Sequence, residues 1–141
     1  MYFDTSAIVP IVIEEPSSVV ASRLWDEADR VVSSRLVYVE ARAALAMAHR
    51  LDRIDERGLR EAVDEFETLH DQLDVIDVTE ELIREAGDLA EQLSLRCYDA
   101  IHLASALLVD DPEMALAAGD QRLLTAASEM GIATADLTRR P

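Results

Sequence analysis

Residues 74–93 read DVIDVTEELIREAGDLAEQL and predict a β-strand followed directly by an α-helix. The first five residues, Asp74–Val78, have the length and the β-branched content of a short strand. Thr79 is a favourable N-cap residue, and the helix that it opens is expected to run to about Leu93. A strand that leads straight into a helix is the building unit of an α/β fold.

The same alternation continues on both sides of this stretch. Further strands are expected at Met1–Asp4, Arg30–Ser33, Met114–Ala118 and, at a sheet edge, Ile132–Thr134. Further helices are expected from Pro16 to Ala28, from Arg35 to Leu51 with Ser34 as the cap, from Asp55 to Leu73, from Asp99 to Val109 and from Asp120 to Met130. The apolar stretch from Asp4 to Ile13 is expected to be irregular. This order predicts a three-layer α/β/α fold with a short, mostly parallel central sheet.

Length and composition predict a single domain over residues 1–141. Two independent cores of about 70 residues would each be marginal. Half of the chain is hydrophobic, which excludes a disordered protein. The single cysteine, Cys97, cannot form an internal disulfide. The sequence shows neither a signal peptide nor an apolar run long enough to cross a membrane, so a cytoplasmic protein is expected.

The charge of the chain conflicts with nucleic-acid binding. Thirteen arginines and no lysine face 29 acidic residues, which gives a formal net charge of −16. Such a field repels phosphate backbones. Metal ligands would account for some of the acids, and six of the thirteen arginines lie between Arg35 and Arg60. The absence of lysine excludes phosphate binding by a P-loop and catalysis through a Schiff base.

Four acidic residues are candidates for a common site. Asp4 ends the first strand, and Asp120 follows the strand Met114–Ala118 after one glycine, so both are expected at the carboxyl edge of the sheet, where α/β proteins bind ligands. Asp99 begins the run DAIHLA. Each of the three also has an ordinary interpretation, as a helix or turn cap.

Glu40 stands out because it lies in an apolar stripe. Its neighbours at helical spacing are Leu36, Ala43, Met47 and Leu51, and this face is expected to meet the core. An unpaired carboxylate there would be costly to bury, and it lies beyond the first turn of the expected helix. The alternative is a tilted helix that leaves Glu40 at the rim of the core, bonded to an arginine.

Four carboxylates at one sheet edge would repel one another strongly, and a divalent cation would remove that cost. Ligand sets made only of oxygen favour Mg²⁺ or Mn²⁺ over zinc. Such an ion lowers the pKa of water and neutralises charge on a phosphoryl group. His102 lies beside the expected site, but it is interpreted as a hydrogen-bonded histidine rather than a metal ligand. The acids therefore predict a phosphodiester hydrolase that uses activated water.

The residues around these acids resemble PIN domains, and more narrowly the VapC-type toxins of bacterial toxin–antitoxin modules. The resemblance covers nearly the whole chain and is carried by Tyr2–Ala7 (YFDTSA), Glu40, Tyr98–Leu107 (YDAIHLASAL) and Gly119–Leu123 (GDQRL). It implies a PIN fold, a Mg²⁺- or Mn²⁺-dependent endoribonuclease that acts on RNA, a cognate antitoxin and a homodimer.

The resemblance also implies a role for each residue. Asp4, Glu40 and Asp99 would be metal ligands, and Asp120 would be the fourth acid. Thr5 or Ser6 would orient Asp4 or hold the attacking water. Apart from the resemblance, the position of Arg122 two residues after Asp120 makes it a candidate contact for substrate phosphate. One position departs from the family, because Ala118 stands where a threonine or serine is usual, and the loss of that hydroxyl removes a supporting hydrogen bond.

Three other functions agree with parts of the sequence. A catalytically silent PIN-like module that binds RNA or a partner agrees with Ala118 and with the net charge, but it has no need of four acids. An aspartate-based phosphatase would require an aspartate at the position of Ser6, and a phospho-receiver domain would require a lysine. The sequence has neither.

Overall fold

A five-stranded, all-parallel β-sheet forms the centre of the computed structural model, which describes residues 1–139. In chain order its strands are β1 (Tyr2–Phe3), β2 (Val32–Ser34), β3 (Asp74–Ile76), β4 (Ala115–Ala118) and β5 (Ala133–Asp136). Their order across the sheet is β3-β2-β1-β4-β5. The parallel sheet is confirmed, with β1 at its centre and the expected last strand at one edge.

Seven helices accompany these strands over the described part of the chain. They are α1 (Thr5–Val12), α2 (Ser18–Glu27), α3 (Val37–Arg50), α4 (Glu56–His70), α5 (Glu80–Leu93), α6 (Cys97–Leu107) and α7 (Gln121–Glu129). Two of the expected caps are present. The Asp55 carboxylate accepts a 2.7 Å hydrogen bond from the Gly58 amide, and the Thr79 hydroxyl accepts one of 3.2 Å from the Leu82 amide.

The core has two parts, one on each face of the sheet. Successive strand residues point to opposite faces, and β1 shows this with only two residues. Tyr2 packs with α5, α6 and α7, whereas Phe3 packs with α1 to α4. Both side chains are fully buried. The three-layer α/β/α arrangement is therefore confirmed, with three helices on one face and four on the other.

The stretch after Asp4 is a helix, not the irregular segment that we expected. Helix α1 spans Thr5–Val12 and contains Pro10, and most of its residues are buried. A short helix that is apolar on all sides shows no amphipathic pattern, and proline removes one helical hydrogen bond. The start of the helix is capped by Asp4, whose side chain accepts a hydrogen bond from the Ser6 amide.

Helix α3 presents a different face to the core from the one expected. It begins at Val37 rather than Arg35, and Ser34 is the last residue of β2 instead of a helix cap. Met47 and Leu51 are 54% and 64% exposed, so the expected stripe points largely to solvent. The buried face consists of Val37, Ala41, Leu45 and Ala48. Glu40 lies at the edge of this face, in the first turn of the helix.

Helix α6 begins two residues earlier than expected. The N-cap position is Arg96, and Asp99 lies within the first turn. The interpretation of Asp99 as the cap is therefore wrong, and its carboxylate is available for another role. Within residues 1–139, no helix combines the length and apolar character required to cross a membrane.

Candidate functional site

Two of the four acids lie at the carboxyl ends of neighbouring strands. Asp4 follows β1 directly, and Asp120 follows β4 after Gly119. The two strands pair in register, with Tyr2 opposite Leu116. Asp120 Oδ1 caps α7 by accepting hydrogen bonds from the amides of residues 122 and 123, at 2.8 and 3.4 Å. The capping roles of Asp4 and Asp120 are real, but each uses only one carboxylate oxygen.

Ser6 connects the two strand ends. Its hydroxyl donates a 2.5 Å hydrogen bond to Asp4 Oδ2 and accepts one of 2.8 Å from the Gly119 amide. The Ser6 amide also donates to Asp4 Oδ2, at 3.1 Å. The orientation of Asp4 is therefore fixed by Ser6, which at the same time ties α1 to the loop that carries Asp120.

Glu40 reaches the same site from α3. Its side chain is 18% exposed, and Oε2 accepts a 2.8 Å hydrogen bond from the Thr5 hydroxyl. His102 Nε2 lies 2.7 Å from the same oxygen. Glu40 thus lies at the rim of the core, as the alternative interpretation held, but its partners are Thr5 and His102 instead of an arginine. Of the two hydroxyl groups after Asp4, Thr5 contacts Glu40 and Ser6 contacts Asp4.

His102 is the buried centre of this network. The side chain is 1% exposed, and Nε2 also lies 3.4 Å from Asp4 Oδ1. A carboxylate can only accept, so Nε2 must carry the hydrogen in its bond to Glu40. The Tyr2 hydroxyl, 2.9 Å from Nδ1, holds the other side of the ring. Burial lowers the pKa of His102, but the hydrogen bond to Glu40 and the charges of Asp4, Glu40 and Asp99 outweigh it and raise the pKa overall.

Asp99 is the acid that the protein leaves unsatisfied. Its Oδ2 atom is buried and has no hydrogen-bond partner among the described residues. Burial raises the pKa of the Asp99 carboxyl, and the negative charges of Asp120 and Asp4 raise it further, in part offset by Arg96 and His102. The structure therefore brings Asp99 close enough to Asp4 and Asp120 for their charges to repel.

The chemistry of these side chains fits a hard divalent cation. Four carboxylates meet at one edge of the sheet, and the buried Asp99 Oδ2 is an acceptor in need of a positive partner. Across residues 1–139, however, no group of three or more His, Cys, Asp or Glu side chains is already arranged to hold a metal ion. One oxygen each of Asp4, Glu40 and Asp120 is engaged by protein donors. Coordination would therefore require the side chains to adjust.

The remaining sequence candidates lie near this edge. Arg122, in the first turn of α7, is exposed and forms no ion pair with any residue of the described range 1–139. Ala118 is fully buried at the end of β4. The hydroxyl that it lacks has a local counterpart, because Ser6 already links Asp4 to the adjacent Gly119.

The sequence did not indicate the Tyr2–His102 pair or its effect on Glu40. Tyr2 and His102 are 100 residues apart, and Glu40 and His102 are 62 apart. The available signal was limited to a histidine three residues after a candidate acid, in a helix that is otherwise apolar. The partners of that histidine depend on how β1, α3 and α6 pack.

The chain matches known proteins along most of its length. The family model "PIN domain" matches residues 1–128. Ribonuclease VapC49 of Mycobacterium tuberculosis (strain ATCC 25618 / H37Rv) is 43% identical over 131 residues, which cover 93% of this chain and 91% of the relative. All four acids and the Ser6, Thr5 and His102 contacts lie within the part matched by the family model.

Solved structures agree in fold. The toxin VapC20 of Mycobacterium tuberculosis, described as cleaving the sarcin-ricin loop, aligns with a TM-score of 0.69 at 21% identity, over 99% of this chain and 98% of that one. A toxin–antitoxin complex from Klebsiella pneumoniae contains a chain that aligns with a TM-score of 0.67 at 14% identity, over 99% and 98%. At these identities the likeness supports the fold alone.

Proposed function

The chain belongs to the PIN domain family, and from that premise we propose that it is a Mg²⁺- or Mn²⁺-dependent endoribonuclease, the toxin of a toxin–antitoxin pair. The observation that carries the proposal is the buried Asp99 Oδ2, which has no partner in the described chain. The negative charges of Asp4 and Asp120 repel that of Asp99. A bound cation would attract all three carboxylates and remove this repulsion.

Each residue of the site has a distinct task in this proposal. Asp4, Glu40, Asp99 and Asp120 would hold the cation, which supplies an acidified water and neutralises charge at the phosphate. Ser6 fixes the Asp4 carboxylate. Thr5 and His102 both bind Glu40 Oε2, which leaves Oε1 free to face the cation. These contacts set the directions of the carboxylates before substrate arrives.

RNA is the proposed substrate. VapC49, at 43% identity, is named a ribonuclease, and the candidate site of this chain lies within the aligned family region. Exposed Arg122 lies two residues after Asp120 and would contact a substrate phosphate. Cleavage proceeds by direct attack of water on the phosphodiester, which requires no covalent enzyme intermediate.

A basic antitoxin is the proposed protein partner, and the fold relative from a toxin–antitoxin complex supports it. The net charge of −16 would attract an arginine-rich segment, and the complex should weaken as salt is added. Affinity that does not respond to ionic strength would contradict this charge-driven pairing. We further propose that the protein acts in the cytoplasm and as a homodimer.

The test is Mn²⁺ binding by calorimetry together with an RNA cleavage assay. The wild type should bind Mn²⁺ and cleave RNA, and EDTA should abolish cleavage. Asp4→Asn and Asp99→Asn should lose both activities. Asparagine is chosen for position 4 because it still caps a helix, so α1 keeps its start and the fold should survive.

The control is Asp64→Asn, which removes one charge from an exposed residue of α4. It should bind Mn²⁺ as the wild type does. A folded wild type that binds no Mn²⁺ refutes the nuclease and favours a silent binding module. That outcome would agree with the finding that the acids in residues 1–139 are not already arranged around a metal ion.

A further inference from the structure

Most arginines of this protein are neutralised by a neighbouring acid. Twelve of the thirteen lie among the described residues. The eight that form ion pairs are Arg30, Arg35, Arg42, Arg53, Arg57, Arg60, Arg84 and Arg139. The four without one in residues 1–139 are Arg23, Arg50, Arg96 and Arg122, and all four are exposed. Acidic residues outnumber arginines more than twofold, so most arginines are expected to have an acidic neighbour with which to form an ion pair.

Two of these four arginines lie beside the candidate site. Arg96 occupies the N-cap position of α6, one turn before Asp99, and its positive charge acts on the Asp99 carboxyl. Arg122 lies in the first turn of α7, two residues after Asp120. Helix α6, which carries Asp99, and helix α7, which follows Asp120, therefore each begin with an exposed arginine that forms no ion pair within residues 1–139.

A cavity of about 490 Å³ opens next to Arg122. The end of α5 contributes Leu93 and Ser94 to its wall, and α7 contributes Gln121, Arg122 and Thr125. Glu129 also lines the cavity, two turns along α7 and about 10 Å from Arg122 along the helix axis. The cavity is open to solvent, and its volume is large enough for a small ligand.

We propose that Arg96 and Arg122 bind RNA phosphates beside Asp99 and Asp120, and that the cavity between α5 and α7 receives the adjacent nucleotide. The inference rests on the proposed ribonuclease function and names the surface that would hold the substrate. The net charge of −16, which opposes nucleic-acid binding in general, does not prevent binding at such a surface. A strongly acidic protein can admit a phosphate backbone where local positive charges remain uncancelled, and both arginines meet that condition at the reacting end of the sheet.

Salt-dependent RNA binding tests the two arginines. Fluorescence anisotropy would follow a labelled single-stranded RNA of about ten nucleotides, in EDTA so that it is not cleaved, over a series of KCl concentrations. Each phosphate contact adds about 0.7 to the slope of log affinity against log salt for single strands. Arg96→Gln and Arg122→Gln should each reduce the slope by about 0.7, and the double variant by about 1.4.

Arg23→Gln and Arg50→Gln are the matched controls, because they remove exposed arginines that also lack an ion pair in the described chain. Their slopes should equal that of the wild type. Thr125→Phe tests the cavity itself, since a bulky ring there should displace the base and lower affinity at least about fivefold without changing the slope. Slopes that fall equally in the controls and the site variants would overturn the inference, as would a wild type that does not bind the RNA. An unchanged affinity in Thr125→Phe would overturn the placement of the nucleotide.

Mn²⁺ calorimetry on the same variants separates this inference from the proposed function. Arg96→Gln and Arg122→Gln should both still bind Mn²⁺, because neither arginine is a proposed ligand. A protein that binds Mn²⁺ and cleaves RNA, but whose salt slope is indifferent to both arginines, refutes the inference alone. A protein with the expected slopes but no Mn²⁺ binding supports the inference and refutes the nuclease.

Discussion

The two sides of the acid cluster are held in opposite ways. On the β1–α3 side, Asp4 and Glu40 are bound by Ser6, Thr5 and His102 through hydrogen bonds of 2.5 to 2.8 Å. On the α6–α7 side, the buried Asp99 Oδ2 has no hydrogen-bond partner within residues 1–139, and burial together with the charges of Asp120 and Asp4 raises the pKa of the carboxyl. Asp4 and Glu40 therefore have hydrogen-bond partners without a cation, whereas Asp99 Oδ2 has none in the described chain.

Because of this difference, substitutions on the two sides of the site should have different effects on folding stability. Removing a hydrogen-bonded group on the β1–α3 side leaves its buried partner unsatisfied, which costs free energy of folding. Removing the charge of Asp99 relieves repulsion, so the metal-free protein should become more stable. Both changes should impair cation binding, but their effects on the melting temperature should have opposite signs.

The largest effect on cation binding is expected for Asp99→Asn. Mn²⁺ affinity should fall at least about 100-fold, because the change removes one of the proposed direct ligands, and changes to supporting groups alone cost about 10–100-fold. The melting temperature in EDTA should rise, since the neutral amide is not repelled by Asp4 and Asp120. Calorimetry and thermal unfolding measure the two quantities. Asp64→Asn should change neither quantity. An Asp99→Asn protein that melts at a lower temperature than the wild type in EDTA would contradict the claim that the Asp99 charge destabilises the metal-free protein.

A smaller loss of Mn²⁺ affinity, about 10- to 100-fold, is expected for His102→Ala. Here the melting temperature should fall, because the Tyr2 hydroxyl and Glu40 lose a buried partner and a cavity forms, at a combined cost of about 3 kcal/mol. His102→Gln is the control, since its amide can still donate to Glu40, and it should recover part of the Mn²⁺ affinity. Equal Mn²⁺ affinities in the alanine and glutamine variants would argue against a positioning role for His102.

The smallest effect is expected for Ser6→Ala. Asp4 keeps the hydrogen bond from the residue 6 amide but loses the hydroxyl, so Mn²⁺ affinity should fall about 10-fold. Unfolding free energy should decrease by about 1 kcal/mol, because the Gly119 amide also loses its acceptor. Urea unfolding measures this change. Ser6→Thr, which retains a hydroxyl, should lie between alanine and wild type, and a Ser6→Ala protein that binds Mn²⁺ normally would remove Ser6 from the site.

The order of the strands and helices could be predicted from local patterns. Thr79 and Asp55 cap the helices that their positions indicated, and the edge strand lies where the sequence placed it. Two segments could not be predicted in this way. Helix α1 is apolar on every side, and α3 has two apolar stripes that differ only by rotation about its axis. Packing of α3 against α1 and α4 selects the stripe that is buried.

The sequence by itself determined the α/β class, the family resemblance and the four acids that lie at one edge of the sheet. Tertiary structure decided which groups hold those acids and which acid is left without a partner. Ser6 reaches Gly119 across 113 residues, and Thr5 lies 3.3 Å from a histidine 97 residues away. Periodicity records which side of an element meets the core, whereas a hydrogen bond requires two elements to be aligned within a few tenths of an ångström. That alignment exists only once β1, α3 and α6 have packed together.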